Sequence, residues 1–249
     1  MELLFLGTGT STGVPQIGCK CKVCKSIDLK DNRLRASVLI LEGDTKILID
    51  SGPDLRQQLL NYNIKTLSGI LLTHAHYDHI GGLDDVRPLG EIQLYAEKNV
   101  LTIIKRNMPY CFVDKRYPGV PTIHLNEIIE QQFIVKDLVI QPIRIQHAAL
   151  PILGFRFGRL AYLTDVKKIE ENSLELLKNL DVLVINALRA NKHISHLSVE
   201  EALNLAKVIG AKQTYFTHIS HDMGLHELVE KELPETIHLS YDGLKLTLN

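Results

Sequence analysis

The sequence Gly-Ile-Leu-Leu-Thr-His-Ala-His-Tyr-Asp-His-Ile-Gly-Gly, residues 69 to 82, joins a short apolar run to four potential metal ligands. The apolar run 70–73 predicts a buried strand. In an extended chain residues i and i+2 point the same way, so His74 and His76 are expected to close on one metal ion. The following turn aims Asp78 and His79 at a second position. One such loop cannot complete two metal sites, so further His or Asp residues must return to it.

The alternative is a histidine-rich surface loop that binds no metal. Neutral imidazoles and a carboxylate packed this densely would have little else to stabilise them. We therefore interpret residues 74–79 as part of a metal site, and we look for its missing ligands at the ends of later strands.

Three later residues lie where a returning ligand would lie, at the carboxyl end of a predicted strand. His147 follows the apolar run 138–145 and precedes two small alanines, although a core histidine is the alternative. Asp165 ends the second strand of a hairpin predicted at 154–163, and one carboxylate can bind two ions through its two oxygens. His218 follows the last central strand, 213–216. Together these residues complete the predicted ligand set.

His196 lies just before a predicted helix. Ser198, followed three residues later by Glu201, forms a capping box that starts this helix. The positive helix terminus and the imidazole of His196 would together suit a phosphate group. The alternative is a structural histidine whose ring is hydrogen-bonded to a backbone carbonyl.

A second cluster of potential ligands, Cys19, Cys21 and Cys24, forms the pattern Cys-x-Cys-x-x-Cys. Three thiolates within six residues suit a tetrahedral zinc whose fourth ligand is a distant Cys or His. A redox Cys-x-x-Cys is a weaker interpretation, because no βαβ pattern surrounds these residues. Unpaired thiols are the other alternative.

Length and composition favour a single domain. The 249 residues contain no Pro-, Gly- or Ser-rich linker, so we predict one domain, 1–249, with a zinc-binding loop at about 14–30. Lys and Arg number 28 against 29 Asp and Glu, and the formal charge of -1 gives no overall attraction to nucleic acid or to an acidic membrane. The start lacks the basic region of a signal peptide, and no apolar run reaches the roughly 18 residues of a membrane span. We therefore expect a cytoplasmic protein.

A glycine-rich phrase, residues 7–13, follows the first predicted strand, residues 3–6. A dinucleotide-binding fingerprint would need a helix starting at these glycines and an acidic residue about 20 positions later. Here the third glycine is misplaced and Val14-Pro15 continues as a loop. We therefore reject a Rossmann fold.

The pattern His-x-His-x-Asp-His at residues 74–79 resembles the signature of the metallo-β-lactamase superfamily, and the chain is similar to that family from end to end. The resemblance implies an α/β fold, the αββα four-layer sandwich, with two metal ions that activate a hydroxide. It implies that Asp78 orients the hydroxide and that Asp50 is a structural aspartate orienting a ligand histidine. It also divides the ligands into a first site of His74, His76 and His147, a second site of Asp78, His79 and His218, and the bridging Asp165.

Other features resemble one branch of that superfamily. The glycine-rich phrase is similar to that of the branch containing ribonuclease Z and the cyclic phosphodiesterases. The cysteine cluster, His196-Leu-Ser and Thr-His-Ile-Ser-His at 217–221 resemble the PhnP-like cyclic phosphodiesterases associated with the carbon-phosphorus lyase pathway. That resemblance implies a small phosphodiester substrate such as 5-phosphoribosyl 1,2-cyclic phosphate, with His196 acting near the leaving oxygen. It further implies Mn²⁺ or Zn²⁺ at the active site, His221 as the fourth ligand of a structural zinc, and a homodimer.

Three other functions were weighed against a phosphodiesterase. A tRNA 3'-processing endoribonuclease shares most of the motifs, but the near-neutral charge and the lack of a long glycine- and proline-rich arm argue against it. A thioesterase of the glyoxalase II type fits the metal loop, yet it leaves His196 unexplained. A non-catalytic metal-binding protein is disfavoured because all seven ligands are intact. Fold alone cannot separate these functions.

Overall fold

All strands of the described chain belong to two seven-stranded sheets. The structure is a computed structural model that describes residues 1–113 and 118–248, so residue 249, the end of the predicted domain, lies outside the described residues. The strands are β1 (Glu2–Gly7), β2 (Ser37–Glu42), β3 (Thr45–Ile49), β4 (Gly69–Leu71), β5 (Glu91–Ala96), β6 (Thr122–Glu127), β7 (Phe133–Val135), β8 (Leu138–His147), β9 (Leu150–Phe157), β10 (Leu160–Leu163), β11 (Val182–Asn186), β12 (Gln213–Thr217), β13 (Ile237–Leu239) and β14 (Lys245–Thr247). The α-helices are α1 (Leu55–Asn61), α2 (Tyr77–Ile80), α3 (Lys98–Asn107), α4 (Glu171–Glu175), α5 (Val199–Ile209) and α6 (His226–Glu230).

Each sheet combines antiparallel and parallel strands. The first sheet has the order β14-β1-β2-β3-β4-β5-β6 and is parallel from β3 to β6. The second has the order β13-β12-β11-β10-β9-β8-β7 and is parallel from β10 to β13. Adjacent parallel strands have their carboxyl ends at the same edge of a sheet. The loops that follow β4, β10, β11 and β12 can therefore meet at one place.

The layers follow from strands that are apolar on both faces. Phe5 and Phe155 are fully buried in the core between the two sheets. Leu4 points to the opposite face of the first sheet, where α1 and α3 pack. Ala202 and Ala206 bring α5 onto the outer face of the second sheet. Helix, sheet, sheet and helix form four layers, and the predicted αββα sandwich is confirmed. No helix among the described residues is long and apolar enough to span a membrane.

Several element boundaries differ from the sequence predictions. The amphipathic spacing of residues 171–179 favours a helix over this whole stretch. The helix ends at Glu175, because Leu176 and Leu177 donate to carbonyls three residues back and the chain tightens into a turn. The edge strand β6 was missed, since its exposed His124 and Glu127 weaken the apolar signal. The final pair of strands is present as β13 and β14, but they lie at the edges of different sheets.

Candidate metal centre

Three residues of the candidate centre have an unusual backbone conformation at the ends of strands. Asp50, Asp165 and His218 have φ values of 61°, 57° and 54°. This left-handed region is unfavourable for residues with a Cβ, and it persists where the surrounding structure holds the residue in place. The three residues are each no more than 2% exposed. The chain therefore turns sharply at these points to direct buried polar groups into one volume.

The first predicted group consists of His74, His76 and His147, whose candidate ligand atoms lie within 4.8 Å of one another. His74 Nε2 lies 2.9 Å from His76 Nδ1. His147 Nδ1 donates to the carbonyl oxygen of Ser195 at 2.9 Å. Because that bond places the ring proton on Nδ1, the lone pair of His147 is on Nε2, as a metal ligand requires.

The second predicted group consists of Asp78, His79 and His218, again with candidate ligand atoms within 4.8 Å. His79 Nε2 lies 3.2 Å from Asp78 Oδ2, and His218 Nε2 lies 3.5 Å from the same oxygen. Neither Nε2 atom is in a hydrogen bond, although both are buried. Buried polar atoms without a partner are costly, and a cation between these three side chains would satisfy them.

Asp165 lies between the two groups, where the bridging carboxylate was predicted. Its Oδ2 is 3.1 Å from His79 Nε2, and its Oδ1 is 3.3 Å from His218 Nε2. Its Oδ1 is also 2.8 Å from His196 Nε2. His196 Nε2 is close enough to His147 and Asp165 to be a ligand atom as well. The structure thus brings the predicted bridging residue and the predicted non-ligand histidine into direct contact.

Asp50 lies beneath this centre and is completely buried. Its carboxylate accepts hydrogen bonds from His79 Nδ1 at 2.7 Å and from the backbone N–H of Thr73 at 2.9 Å. The Thr73 hydroxyl also donates to Asp50, which leaves its oxygen to accept from His74 Nδ1 at 2.9 Å. Through these bonds Asp50 orients His79 directly and His74 through Thr73, and Nε2 of each ring faces the centre.

The residues present fit divalent metal ions. Burial lowers the pKa of His74 and of His147, so both imidazoles are neutral. Burial alone would raise the pKa of Asp165, but His218 and His79 hold it well below the usual range, so this carboxylate is ionised. Burial alone would lower the pKa of His79, but Asp50, Asp165 and Asp78 raise it well above its usual range, and a cation at Nε2 would take the place of that proton. The neutral imidazoles of His74 and His147 and the ionised carboxylate of Asp165 are donors for divalent transition metals.

The cysteine cluster forms a separate group with His221. Sγ atoms of Cys19 and Cys21 lie 3.4 and 3.5 Å from His221 Nδ1, and all four candidate ligand atoms lie within 4.8 Å of one another. The backbone N–H of Cys24 donates to Cys21 Sγ, and this bond together with His221 lowers the pKa of Cys21 to about 6. Three cysteines and one histidine are a donor set for tetrahedral zinc.

The sequence patterns did not identify the residues that hold the predicted ligands in place. Thr73 and Ser195 act on His74 and His147, but Ser195 does so through its backbone carbonyl, which no sequence pattern encodes. His193 contacts His196, and the spacing His-x-x-His is the sequence signal that could have identified this contact.

The capping box at Ser198 is present, with the Ser198 N–H donating to Glu201. That amide is therefore not available to a phosphate. The sequence had suggested that this helix start, together with His196, would suit one.

Comparison with known proteins places these features in a family. The sequence profile of the β-lactamase superfamily domain matches residues 45–219. A structure described as a new diphosphatase from the PhnP family superposes with a TM-score of 0.93 at 39% identity, covering all of this chain and 98% of that chain. The short form of human tRNase Z superposes with a TM-score of 0.74 at 20% identity over the whole of both chains. At that lower identity the likeness shows the fold alone.

Curated relatives are longer than this chain. An octanoyltransferase of Porphyromonas gingivalis is 44% identical over 255 residues, which cover all of this chain and 52% of that protein. Coenzyme PQQ synthesis protein B of Rhodopseudomonas palustris is 32% identical over 120 residues, 43% of this chain and 39% of that protein. The chain spans about half the length, or less, of these relatives.

Proposed function

We propose that the protein is a metal-dependent hydrolase of a small phosphodiester, because the chain belongs to the β-lactamase superfamily and, within it, to the PhnP family. The observation that carries the proposal is His196, whose Nε2 lies 2.8 Å from Asp165 Oδ1 at the edge of the candidate metal centre. Cleavage of a phosphodiester with an alkoxide leaving group needs a proton donor or charge stabiliser at the departing oxygen. A cyclic diester such as 5-phosphoribosyl 1,2-cyclic phosphate has such a leaving group.

We propose that the centre holds two divalent ions, Mn²⁺ or Zn²⁺, and that the cysteine cluster holds one structural zinc. His74, His76 and His147 would bind one ion, Asp78, His79 and His218 the other, with Asp165 bound to both. A pair of ions at such positions polarises phosphoryl oxygens and lowers the pKa of a bound water. The inward Nε2 atoms and the unpartnered Nε2 atoms of His79 and His218 support this assignment.

The chain's own residues then have separate roles. Asp78 has a side chain 13% exposed, against 3% for Asp165, so it lies nearer to solvent and is placed to orient an attacking water. His196 is 12% exposed and donates to the departing oxygen. Asp50 is fully buried and acts only through the histidines it orients.

The names of two relatives indicate which other substrate bonds the enzyme should be tested on. The diphosphatase of the PhnP family suggests a phosphoanhydride, whose cleavage needs the same metal and proton chemistry. The octanoyltransferase suggests an acyl group, so thioester hydrolysis is the second candidate function. That relative is only half covered by this chain, so the match does not locate its activity within the shared half.

One preparation assayed on several substrates tests the proposal. The panel is bis(p-nitrophenyl) phosphate, a 2',3'-cyclic nucleotide, 5-phosphoribosyl 1,2-cyclic phosphate, a nucleoside diphosphate, a thioester and a tRNA precursor, each with added Mn²⁺ or Zn²⁺. We expect turnover of the diesters, and the ribosyl cyclic phosphate to be the best substrate. Turnover confined to the thioester, or specific cleavage of the tRNA precursor, would overturn the proposal.

The domain organisation, the cellular location, the partners and the oligomeric state of the protein are also proposals. We propose a single-domain cytoplasmic enzyme whose partner is its small substrate, not nucleic acid or a membrane, in keeping with the formal charge of -1. A homodimer is expected from the PhnP family, and light scattering of the purified protein tests it.

A further inference from the structure

His193 lies against His196 on the loop that precedes α5, on the side of the ring away from Asp165. We infer that His193 is a positioning residue, whose imidazole holds the His196 ring with Nε2 directed into the metal centre. The inference rests on the proposed function, since this orientation matters for catalysis only if His196 acts on the leaving oxygen. It assigns no metal ligand and no contact with substrate to His193.

Three polar atoms meet at the back of His196. His193 Nδ1 lies 3.1 Å from His196 Nδ1. Ser195 Oγ lies 3.1 Å from His193 Nδ1 and 3.0 Å from His196 Nδ1. These separations are hydrogen-bond distances. The partner of one imidazole nitrogen determines which nitrogen carries the proton and how the ring is turned. His196 Nδ1 is therefore held from behind while Nε2 faces Asp165.

The backbone that carries these side chains is fixed by a partly exposed ion pair. Lys167 Nζ donates to the carbonyl oxygen of His193 at 2.8 Å and to that of His196 at 3.3 Å. The same ammonium group pairs with Glu201 at 2.9 Å, and Glu201 is the second member of the capping box of α5. The loop is thus fastened to the helix start. This fixed backbone places the His193 ring within reach of His196.

The remaining neighbours of His196 cannot replace this contact. The His196 ring stacks on His218 with centroids 4.9 Å apart and planes 17° apart. Stacking restricts tilting of the ring, but it does not oppose a 180° turn about the Cβ–Cγ bond, which would bring Cδ2 to the position of Nδ1 and Cε1 to the position of Nε2. Two contacts oppose this turn: Asp165 holds Nε2, and a hydrogen bond from the other side of the ring holds Nδ1. His193 and Ser195 supply it among the described residues.

The test compares His193→Leu with His193→Asn in the metal-loaded enzyme. The asparagine amide can occupy about the position of Nδ1, whereas leucine keeps volume without a polar group. On a cyclic diester with a poor alkoxide leaving group, we expect His193→Leu to lower kcat about 10-fold with KM unchanged, the effect of losing one hydrogen bond to a functional group. His193→Asn should recover most of the loss. On bis(p-nitrophenyl) phosphate both variants should match the wild type, because p-nitrophenolate leaves without a proton.

A double-mutant comparison separates positioning from a general structural effect. In a His196→Ala background, His193→Leu should cause no further loss on the cyclic diester. Ile194→Ala is the matched control, since Ile194 lies on the same loop and is 86% exposed. Equal losses on both substrates, a loss of bound metal, or an undiminished loss in the His196→Ala background would overturn the inference.

A spectroscopic readout keeps the inference apart from the proposed activity. In the zinc-loaded protein, the ¹⁵N shifts of the His196 ring should change in His193→Leu and return toward wild-type values in His193→Asn. If the wild type hydrolyses no diester but the shifts behave this way, the proposed function fails while the positioning contact stands. Unchanged His196 shifts in His193→Leu would overturn the contact itself.

Discussion

Asp50, Asp78 and Asp165 occupy one buried region but differ in what surrounds them. Burial raises the pKa of Asp50, whose oxygens are used in bonds to Thr73 and His79. Burial would also raise the pKa of Asp78, yet the neighbouring histidines His79 and His218 hold that pKa below the ordinary range. Asp165 is held low in the same way. The surroundings thus distinguish Asp50, whose oxygens are engaged by Thr73 and His79, from Asp78 and Asp165, whose oxygens face the candidate centre.

The proposed bridging role of Asp165 predicts that its loss affects both metal positions. Asparagine has nearly the same volume but carries no charge and only one carbonyl oxygen. In Asp165→Asn we expect metal content at both positions to fall and phosphodiester hydrolysis to drop by at least about 10²-fold. Metal analysis of the purified variant measures this directly. Asp44→Asn, at an exposed turn, is the control. Full metal content with full activity in Asp165→Asn would show that no bridge exists.

His196 is expected to matter in proportion to how poorly the leaving group departs. General-acid assistance is usually worth about 10² to 10⁴ in rate. His196→Ala should therefore lose activity on that scale with an alkoxide leaving group, and far less with p-nitrophenolate. The rates of the wild type and of His196→Ala, measured on both substrates, test this expectation. Equal losses would instead indicate that His196 binds the phosphate, and no loss on either substrate would remove it from the reaction.

The cysteine cluster and the candidate metal centre are joined by one short segment of chain. His218 and His221 are three residues apart, and the first faces the centre while the second lies in the cysteine cluster. The intervening Ile219 is paired with the segment that follows β1, since its N–H donates to the Thr8 carbonyl and its own carbonyl accepts from the Thr10 N–H. A zinc bound at residues 19–24 would therefore also steady the segment that carries a ligand of the centre.

This arrangement predicts that Cys21→Ser lowers both zinc content and stability. Structural zinc binding contributes directly to the free energy of folding, so we expect about one ion fewer per chain and a lower melting temperature. His221→Ala should reproduce this result. Cys111→Ser should keep the zinc, because Cys111 is buried in the core beneath α3 and outside the cluster. The assignment would be falsified if Cys21→Ser kept its zinc and melted like the wild type.

At the scale of elements, the sequence predicted those whose signal is local. The capping box of α5 matched because a Ser-x-x-Glu phrase specifies it directly. The edge strand β6 was missed because His124 and Glu127 interrupt its apolar pattern, and the early end of α4 was missed because its spacing of apolar residues continues into the turn. The candidate ligands were identified because they follow strands, whereas Ser195 and Thr73 were missed because their contacts depend on the tertiary fold. Propensity and pattern cannot encode such long-range hydrogen bonds.

The whole molecule divides the candidate centre between its two sheets. The first sheet supplies His74, His76, Asp78 and His79 through the segment after β4. The second supplies the other ligands from the ends of β8, β10 and β12: His147, Asp165 and His218. Apolar packing between the sheets already holds them together. Ions bound at the centre would add contacts that only the assembled sandwich can make.

Metal binding should consequently stabilise the entire sandwich and not one loop. A ligand that binds only the folded state at 100 times its dissociation constant adds about 2.7 kcal/mol, which for a chain of this size corresponds to roughly 5–11 °C in melting temperature. We expect added Mn²⁺ to raise the melting temperature of chelator-treated protein by this order. Cys21→Ser should keep the Mn²⁺ response although its starting temperature is lower, because its centre is intact. Asp165→Asn should lose the response. If calorimetry found the same Mn²⁺ effect in Asp165→Asn as in the wild type, the ions would be binding elsewhere and the centre would not join the two sheets.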